Sequence, residues 1–251
     1  MITKLYYLQW DTVLINKILL ESAFVLHIRA YQETSVIVEL FTRSFGRVNA
    51  VAKGAKRPKS PLRSILTPAS KLSISLSGKN ELKNLSSVEV SEHFNLTEGI
   101  AIHSLMYINE LILKATEKED PHQKVFDIYE TLLKNLSQNR DRVVLEKLLR
   151  DFELSLLQEM GYGIDLSRDA QTNKIIDKKK FYIFNPDRGF LETEENFRNK
   201  STFYGTDIIN FSESNFEKKT TRDSAKIIMR KALDYHLGNK TLNTRKYLSK
   251  K

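Results

Sequence analysis

The chain contains no cysteine, which removes disulfides, thiolate metal sites and thiol nucleophiles together. That absence fits a reducing compartment. Long apolar runs are missing as well, since no stretch approaches the roughly 18 residues of a membrane span. Near the N-terminus, Leu5, Leu8, Leu14, Ile15, Ile18, Leu19 and Leu20 raise the question of a targeting signal. Asp11, Asn16 and Lys17 interrupt the apolar core such a signal needs, and no small-residue cleavage site follows, so the expected location is the cytoplasm. There is no G-x-x-x-x-G-K-[ST] loop to cradle nucleotide phosphates. His27, His93, His103, His122 and His236 are scattered singly, without metal-ligand spacing. The expectation is no catalytic residue, no metal and no cofactor.

What the chain has is positive charge, concentrated in one place. Lysine and arginine number 40 against 31 acids, a formal net charge of +9. Such an excess suits a polyanion, whether nucleic acid or an anionic membrane. Between Arg43 and Lys83 lie Arg43, Arg47, Lys53, Lys56, Arg57, Lys59, Arg63, Lys71, Lys79 and Lys83, with Glu81 the sole acid. This window alone carries the net charge of the whole chain. Unpaired ions cost several kcal/mol each to bury, so these side chains are expected on surface and loops, where they can neutralise phosphates. A merely solvated loop would carry more acids, and nucleic-acid binding without sequence choice is the better reading.

From Ala23 to His93 the hydrophobic period is two. Phe24, Leu26 and Ile28 open it, followed by Val36, Val38 and Leu40, then Val48, Ala50 and Ala52. Leu72, Ile74 and Leu76 alternate with serines, and Val88 and Val90 mark a fifth strand. Five short strands in about 70 residues suit a small closed barrel of the OB type. The connection from Lys53 to Pro68 holds three of the five prolines and a possible short helical turn at Leu62, Ile65 and Leu66. After Asn95 the period becomes 3.6. Helical faces follow at Ala101–Ala115, Val125–Leu136 and Leu145–Leu156, the last stopped by Gly161-Tyr162-Gly163. Residues 164–216 are weakly patterned, with strand-like pieces at Phe181–Phe184 and Thr202–Ile209. A final helix carries Ala225, Ile228, Met229 and Ala232 and ends at Gly238. The predicted organisation is an extension over 1–22, a barrel over 23–94 and a mostly helical domain over 95–251 with an irregular insertion.

Other candidates are weaker. Phe41 and Phe45 flank Arg43 and could stack on bases, although Phe41 also fits the core pattern. Arg222, Lys226 and Arg230 recur at four-residue spacing on the last helix, as a second basic face, a dock for an acidic peptide or a solvated surface. Pro186-Asp187 with Glu217-Lys218-Lys219 loosely matches the acidic pair and lysine of a metal-dependent nuclease. A generic OB-type RNA-binding module is the other alternative.

The run AFVLHIRAYQETS from Ala23 to Ser35, then Leu40-Phe41-Thr42, Gly46-Arg47-Val48 and Val51 to Ala55 (VAKGA), resembles the N-terminal barrel of the bacterial RecO family. Tyr107 to Leu111 (YINEL), Phe152 to Leu157 (FELSLL) with Gly161-Tyr162-Gly163, and His236-Leu237-Gly238 with Lys240 and Arg245 agree in order. The resemblance covers about Ala23 to Leu248 and rests on order and spacing rather than on any single motif. It implies an OB barrel followed by a helical domain and no turnover of a small substrate. It also implies binding of single- and double-stranded DNA, annealing of complementary strands, and help for RecA loading on SSB-coated DNA together with RecR. It implies as well that the acidic, Phe-terminated SSB tail is engaged, and such a tail would need an apolar pocket with a basic rim. Arg150 matches the family arginine at that kind of site, with Leu149, Phe152 and Leu156 as candidate neighbours; the alternative is an ordinary exposed helix residue. Two departures stand out: many members hold zinc with four cysteines after the Gly-Tyr-Gly turn, and here the segment 164–190 is expected to be held by packing alone. Met1–Ser22 is extra.

Overall fold

The computed structural model describes residues 17–96, 99–194, 202–238 and 240–245. The expected extension up to residue 16 and the basic residues Lys246, Lys250 and Lys251 lie outside them.

Five strands come first: β1 (Lys17–Tyr31), β2 (Ser35–Thr42), β3 (Gly46–Ala52), β4 (Ser70–Ser77) and β5 (Leu82–His93). They close into a barrel in the order β1-β2-β3-β5-β4. Closure depends on β1, whose second half pairs with β2 while its first half pairs with β4. Register shifts at Ile18/Glu21 and Val25/His27 bend the strand between these duties. The short parallel pairing of Asn49–Val51 with Leu82–Asn84 completes the ring. Strand β1 therefore starts at Lys17, not Ala23. At the first shift Leu20 takes a left-handed φ of 51°, leaving Leu19 and Leu20 exposed, which hid the strand from the alternation.

Ala23, Val25, Val38, Leu40, Val48, Ala50, Leu72, Ile74 and Leu76 fill the barrel. The alternate positions Phe24 and Phe41 point away from that interior yet are fully buried. Their cover is α3 (Gln123–Gln138): Phe126 lies 5.0 Å from Phe24 and 5.5 Å from Phe41, centroid to centroid, and Tyr129 lies 4.9 Å from Phe24. Asn109 of α2 (Gly99–Ala115) makes the polar link. It accepts from the Tyr129 hydroxyl at 2.7 Å and donates to the Leu26 carbonyl at 3.2 Å, beside the second irregularity of β1. Burial drives the Tyr129 hydroxyl far above its usual pKa, against the smaller opposing effect of Asn109. Gly46 is required at the β2–β3 turn, because a Cβ there would meet the Asp120 carbonyl oxygen at 2.0 Å. Two compact units result, the barrel with residues 105–133 and the remainder from 134 onward with residues 98–104.

In the second unit, α4 (Arg142–Glu159) is capped by Asp141, which accepts from the Val143 and Val144 amides at 2.6 and 3.1 Å. Its buried face packs with α6 (Lys219–His236), which buries Ala225, Ile228, Met229, Ala232 and Leu233. The segment expected to be irregular holds a three-stranded sheet of order β7-β6-β8, with β6 at Phe181–Asn185, β7 at Gly189–Thr193 and β8 at Thr202–Tyr204. The second strand-like piece is only half strand. At Gly205, where a Cβ would meet the Asp177 carbonyl oxygen at 2.0 Å, the chain turns into helix α5 (Gly205–Ser212).

Packing alone does not hold this segment. The buried Asp169 carboxylate accepts from the amides of Gln171 at 3.0 Å, Thr172 at 2.6 Å and Glu192 at 2.6 Å, and from the Thr172 hydroxyl at 2.8 Å. Burial opposes its charge, but these hydrogen bonds outweigh burial and hold the carboxyl below its ordinary pKa. One carboxylate ties the loop to β7.

Candidate nucleic-acid interface

Of the ten cations between Arg43 and Lys83, four are engaged by other side chains, five lie together on one turn, and Lys79 is exposed between β4 and β5. Arg43 makes a two-pronged pair with Asp127, Nε to Oδ1 at 3.0 Å and Nη2 to Oδ2 at 3.1 Å. Lys71 pairs with Glu130 at 2.7 Å and Lys83 with Glu119 at 3.6 Å. Arg47 is not at the surface at all. It is 8% exposed, donates to the Thr116 hydroxyl at 3.0 Å and carbonyl at 2.7 Å, and pairs with Glu39. A guanidinium can be buried there because those three acceptors satisfy it.

Lys53, Lys56, Arg57, Lys59 and Arg63 are different. All five are exposed, and none forms an ion pair with an acid among the described residues. The β3–β4 connection that carries them is pinned rather than loose. The Lys56 amide donates to the Thr34 carbonyl at 2.9 Å, the Arg57 amide to Gly54 at 3.1 Å, and the Ser60 amide to Arg57 at 3.0 Å. The short helix α1 (Leu62–Ile65) follows. Ala55 and Leu66 are buried in the barrel core, with Leu62 and Ile65 packed against it. The apolar residues point in and the cations stay exposed, Lys56 donating from Nζ to the Gln32 carbonyl at 3.1 Å. This fixed turn presents charge at a high density without an opposing acid among the described residues.

The barrel face offered by β2 and β3, a common nucleic-acid surface of OB folds, is covered here. Phe41 lies under Phe126 and Arg47 under Thr116. Phe41 is therefore a core residue, whereas Phe45 at the β2–β3 turn remains 42% exposed.

A second basic cluster occurs in the other unit. Ile100, Leu145, Leu149 and Phe216 line a cleft whose rim carries Arg142, Glu146, Arg150, Arg222 and Lys226. The structure thus joins Leu149 and Arg150 with Arg222 and Lys226, which the sequence presented as separate sets. Phe152 and Leu156 are buried behind the cleft and do not line it, and Arg230 is exposed outside it. Arg222 is held in place by donating to the Phe216 carbonyl at 2.7 Å and the Glu217 carbonyl at 2.6 Å, while Arg150 pairs with Glu153 at 2.8 Å. Sequence reasoning missed Arg142, Leu145 and Phe216. The four-residue recurrence Arg142, Glu146, Arg150 on the edge of the Leu145–Leu149 stripe was a readable signal; Phe216 had none.

The nuclease constellation is not assembled. Asp187 accepts from the Tyr235 hydroxyl at 3.3 Å, whereas Lys218 lines a groove with Lys179 and Asp223 that Asp187 does not reach. Among the described residues no group of three or more potential metal ligands occurs, and no helix is long and apolar enough to cross a membrane.

Comparison with known proteins covers nearly the whole chain. Residues 17–94 match the family model described as Recombination protein O N terminal, and residues 96–246 match Recombination protein O C terminal. The DNA repair protein RecO of Coxiella burnetii (strain RSA 331) is 38% identical over 235 residues, covering 93% of this chain and 99% of that one. That of Nitrosospira multiformis is 37% identical, covering 91% and 93%. That of Glaesserella parasuis serovar 5 is 35% identical, covering 90% and 92%.

Proposed function

The chain belongs to the RecO family, and from that premise we propose that it acts in DNA repair as a non-catalytic mediator that binds single- and double-stranded DNA and anneals complementary strands. The observation that carries the proposal is the pinned β3–β4 turn, with five outward cations and no acid between Lys53 and Arg63. Two strands approaching one another are opposed by phosphate repulsion. A fixed row of lysines and arginines neutralises both without contacting base edges, so it accelerates pairing without choosing sequence. Arg47 is left out of this surface because it is buried, and Arg43 and Lys71 contribute less because Asp127 and Glu130 already occupy them.

The cleft between α4 and α6 is the proposed seat of the acidic SSB tail, its apolar floor receiving the terminal side chain and its rim the carboxylates. Cooperation with RecR, and through it RecA loading, belongs to the same proposal and is supported by family membership, with a cytoplasmic, nucleoid-associated location.

The test is anisotropy of labelled single-stranded DNA across a salt series, with wild type and a variant carrying Lys53, Lys56, Arg57, Lys59 and Arg63→Ala. Each lost phosphate contact removes about 0.7 from the log–log salt slope, so the five-residue variant should lose up to about 3.5 in slope and about 100-fold in affinity near 0.1 M salt. Annealing of SSB-coated strands should slow in parallel. Equal binding by the variant would move the interface elsewhere, and a strong preference for structured RNA in competition would favour an RNA-binding module instead.

A further inference from the structure

The cleft between α4 and α6 already contains a carboxylate. Glu146 places Oε1 at 3.0 Å from Nε of Arg142 and Oε2 at 3.6 Å from Nε of Arg222. Each of its oxygens faces a different guanidinium, one from each helix. That is the arrangement an incoming carboxylate would adopt on the same rim. Glu146 is 37% exposed, so it can swing into solvent without burying its charge. Arg222 would stay in place when it leaves, because the Phe216 and Glu217 carbonyls hold the other end of its guanidinium.

We infer that Glu146 is the specificity-determining residue of this cleft, a resident carboxylate that an acidic C-terminal peptide must displace. The inference rests on the peptide-binding reading of the cleft and deepens it. A ligand offering charge alone exchanges one carboxylate for another and gains little. A ligand that also fills the apolar floor of Leu145, Leu149 and Phe216 gains burial that Glu146 cannot offer. The residue therefore keeps plain polyanions off the cleft, which matters in a chain that also presents a DNA-binding turn.

The sign of one substitution decides between this role and the opposite one, in which Glu146 merely positions the arginines. A labelled nine-residue acidic peptide with a free C-terminal Phe is titrated onto the full chain as wild type, Glu146→Gln and Lys226→Glu. Displacement predicts that E146Q binds about fivefold more tightly, while K226E binds more weakly. Glu146→Ala should change affinity in the same direction as E146Q, and thermal melts check that each variant is folded. If K226E weakens binding but E146Q weakens it or leaves it unchanged, the peptide reading stands and the resident-carboxylate role is refuted. If neither variant changes affinity, the peptide binds elsewhere and both fail. Absence of binding by wild type and E146Q alike sinks both too, whereas binding by E146Q alone supports the displacement role.

Discussion

Arg47 and Arg57 lie ten residues apart in one basic segment, and the fold treats them in opposite ways. Arg47 is enclosed by Glu39 and Thr116, whereas Arg57 is exposed on a turn with no ion-pair partner among the described residues. Arg43 and Lys71 fall between these extremes, paired with acids that lie 84 and 59 residues away in sequence. The acids come from α3, the helix that covers Phe24 and Phe41. Covering the barrel with a helix and neutralising the nearest cations are thus one structural event. Charge density in a sequence counts cations; tertiary packing decides which remain available to a partner.

The largest effect expected from this contrast is on stability. Arg47→Ala leaves the Glu39 carboxylate and the Thr116 carbonyl without their buried partner, a loss of about 3–5 kcal/mol by analogy with other broken buried pairs. Urea unfolding should register it, while DNA affinity per folded molecule stays within about twofold of wild type. A cost below about 1 kcal/mol, together with a marked loss of DNA binding, would place Arg47 with the exposed set and break the comparison.

A smaller effect tests the intermediate pair. Asp127→Asn with Glu130→Gln removes the acids that occupy Arg43 and Lys71. If those acids compete with phosphate, the variant should bind single-stranded DNA about threefold more tightly, with a salt slope steeper by roughly 1. Unchanged binding would mean that the DNA path stays on the β3–β4 turn.

Much of the fold was legible because strict alternation leaves few options. Leu72, Ile74 and Leu76 between serines read as a strand with one apolar face, and they line the barrel, although the serine face is not open: Ser75 is buried and accepts from the Leu20 amide. The start of β1 was not legible, because its bulge exposes Leu19 and Leu20 and breaks the period. Within the three-stranded sheet, β6 and the start of β8 were legible at Phe181 and Thr202, whereas the preceding loop was not, because it depends on hydrogen bonds to Asp169 and a lone aspartate carries no periodic signal. For the candidate sites, the loop from Lys53 to Arg63 could be read from composition alone. The cleft could not, since Leu149 and Arg150 on α4 meet Arg222 and Lys226 on α6 only through tertiary packing.

The smallest effect concerns acid. The hydrogen bond from Arg43 holds the Asp127 carboxyl below its ordinary pKa, against a modest opposing effect of burial. Because the folded value lies below the unfolded one, the pair stabilises the fold above the usual carboxylate range, and that contribution disappears as pH falls through the lower, folded value. Both partners are about half exposed, at 46% and 52%, so solvent screening keeps the contribution small. Comparing acid titrations of wild type and Arg43→Ala by circular dichroism should show the variant losing stability at a slightly higher pH, with the two curves converging once Asp127 is protonated. A difference that persisted unchanged below that pH would mean that Arg43 stabilises through packing of its stem rather than through its charge. Arg43 would then belong with Arg47 as a structural residue, and the division between paired and free cations would fall at the β3–β4 turn alone.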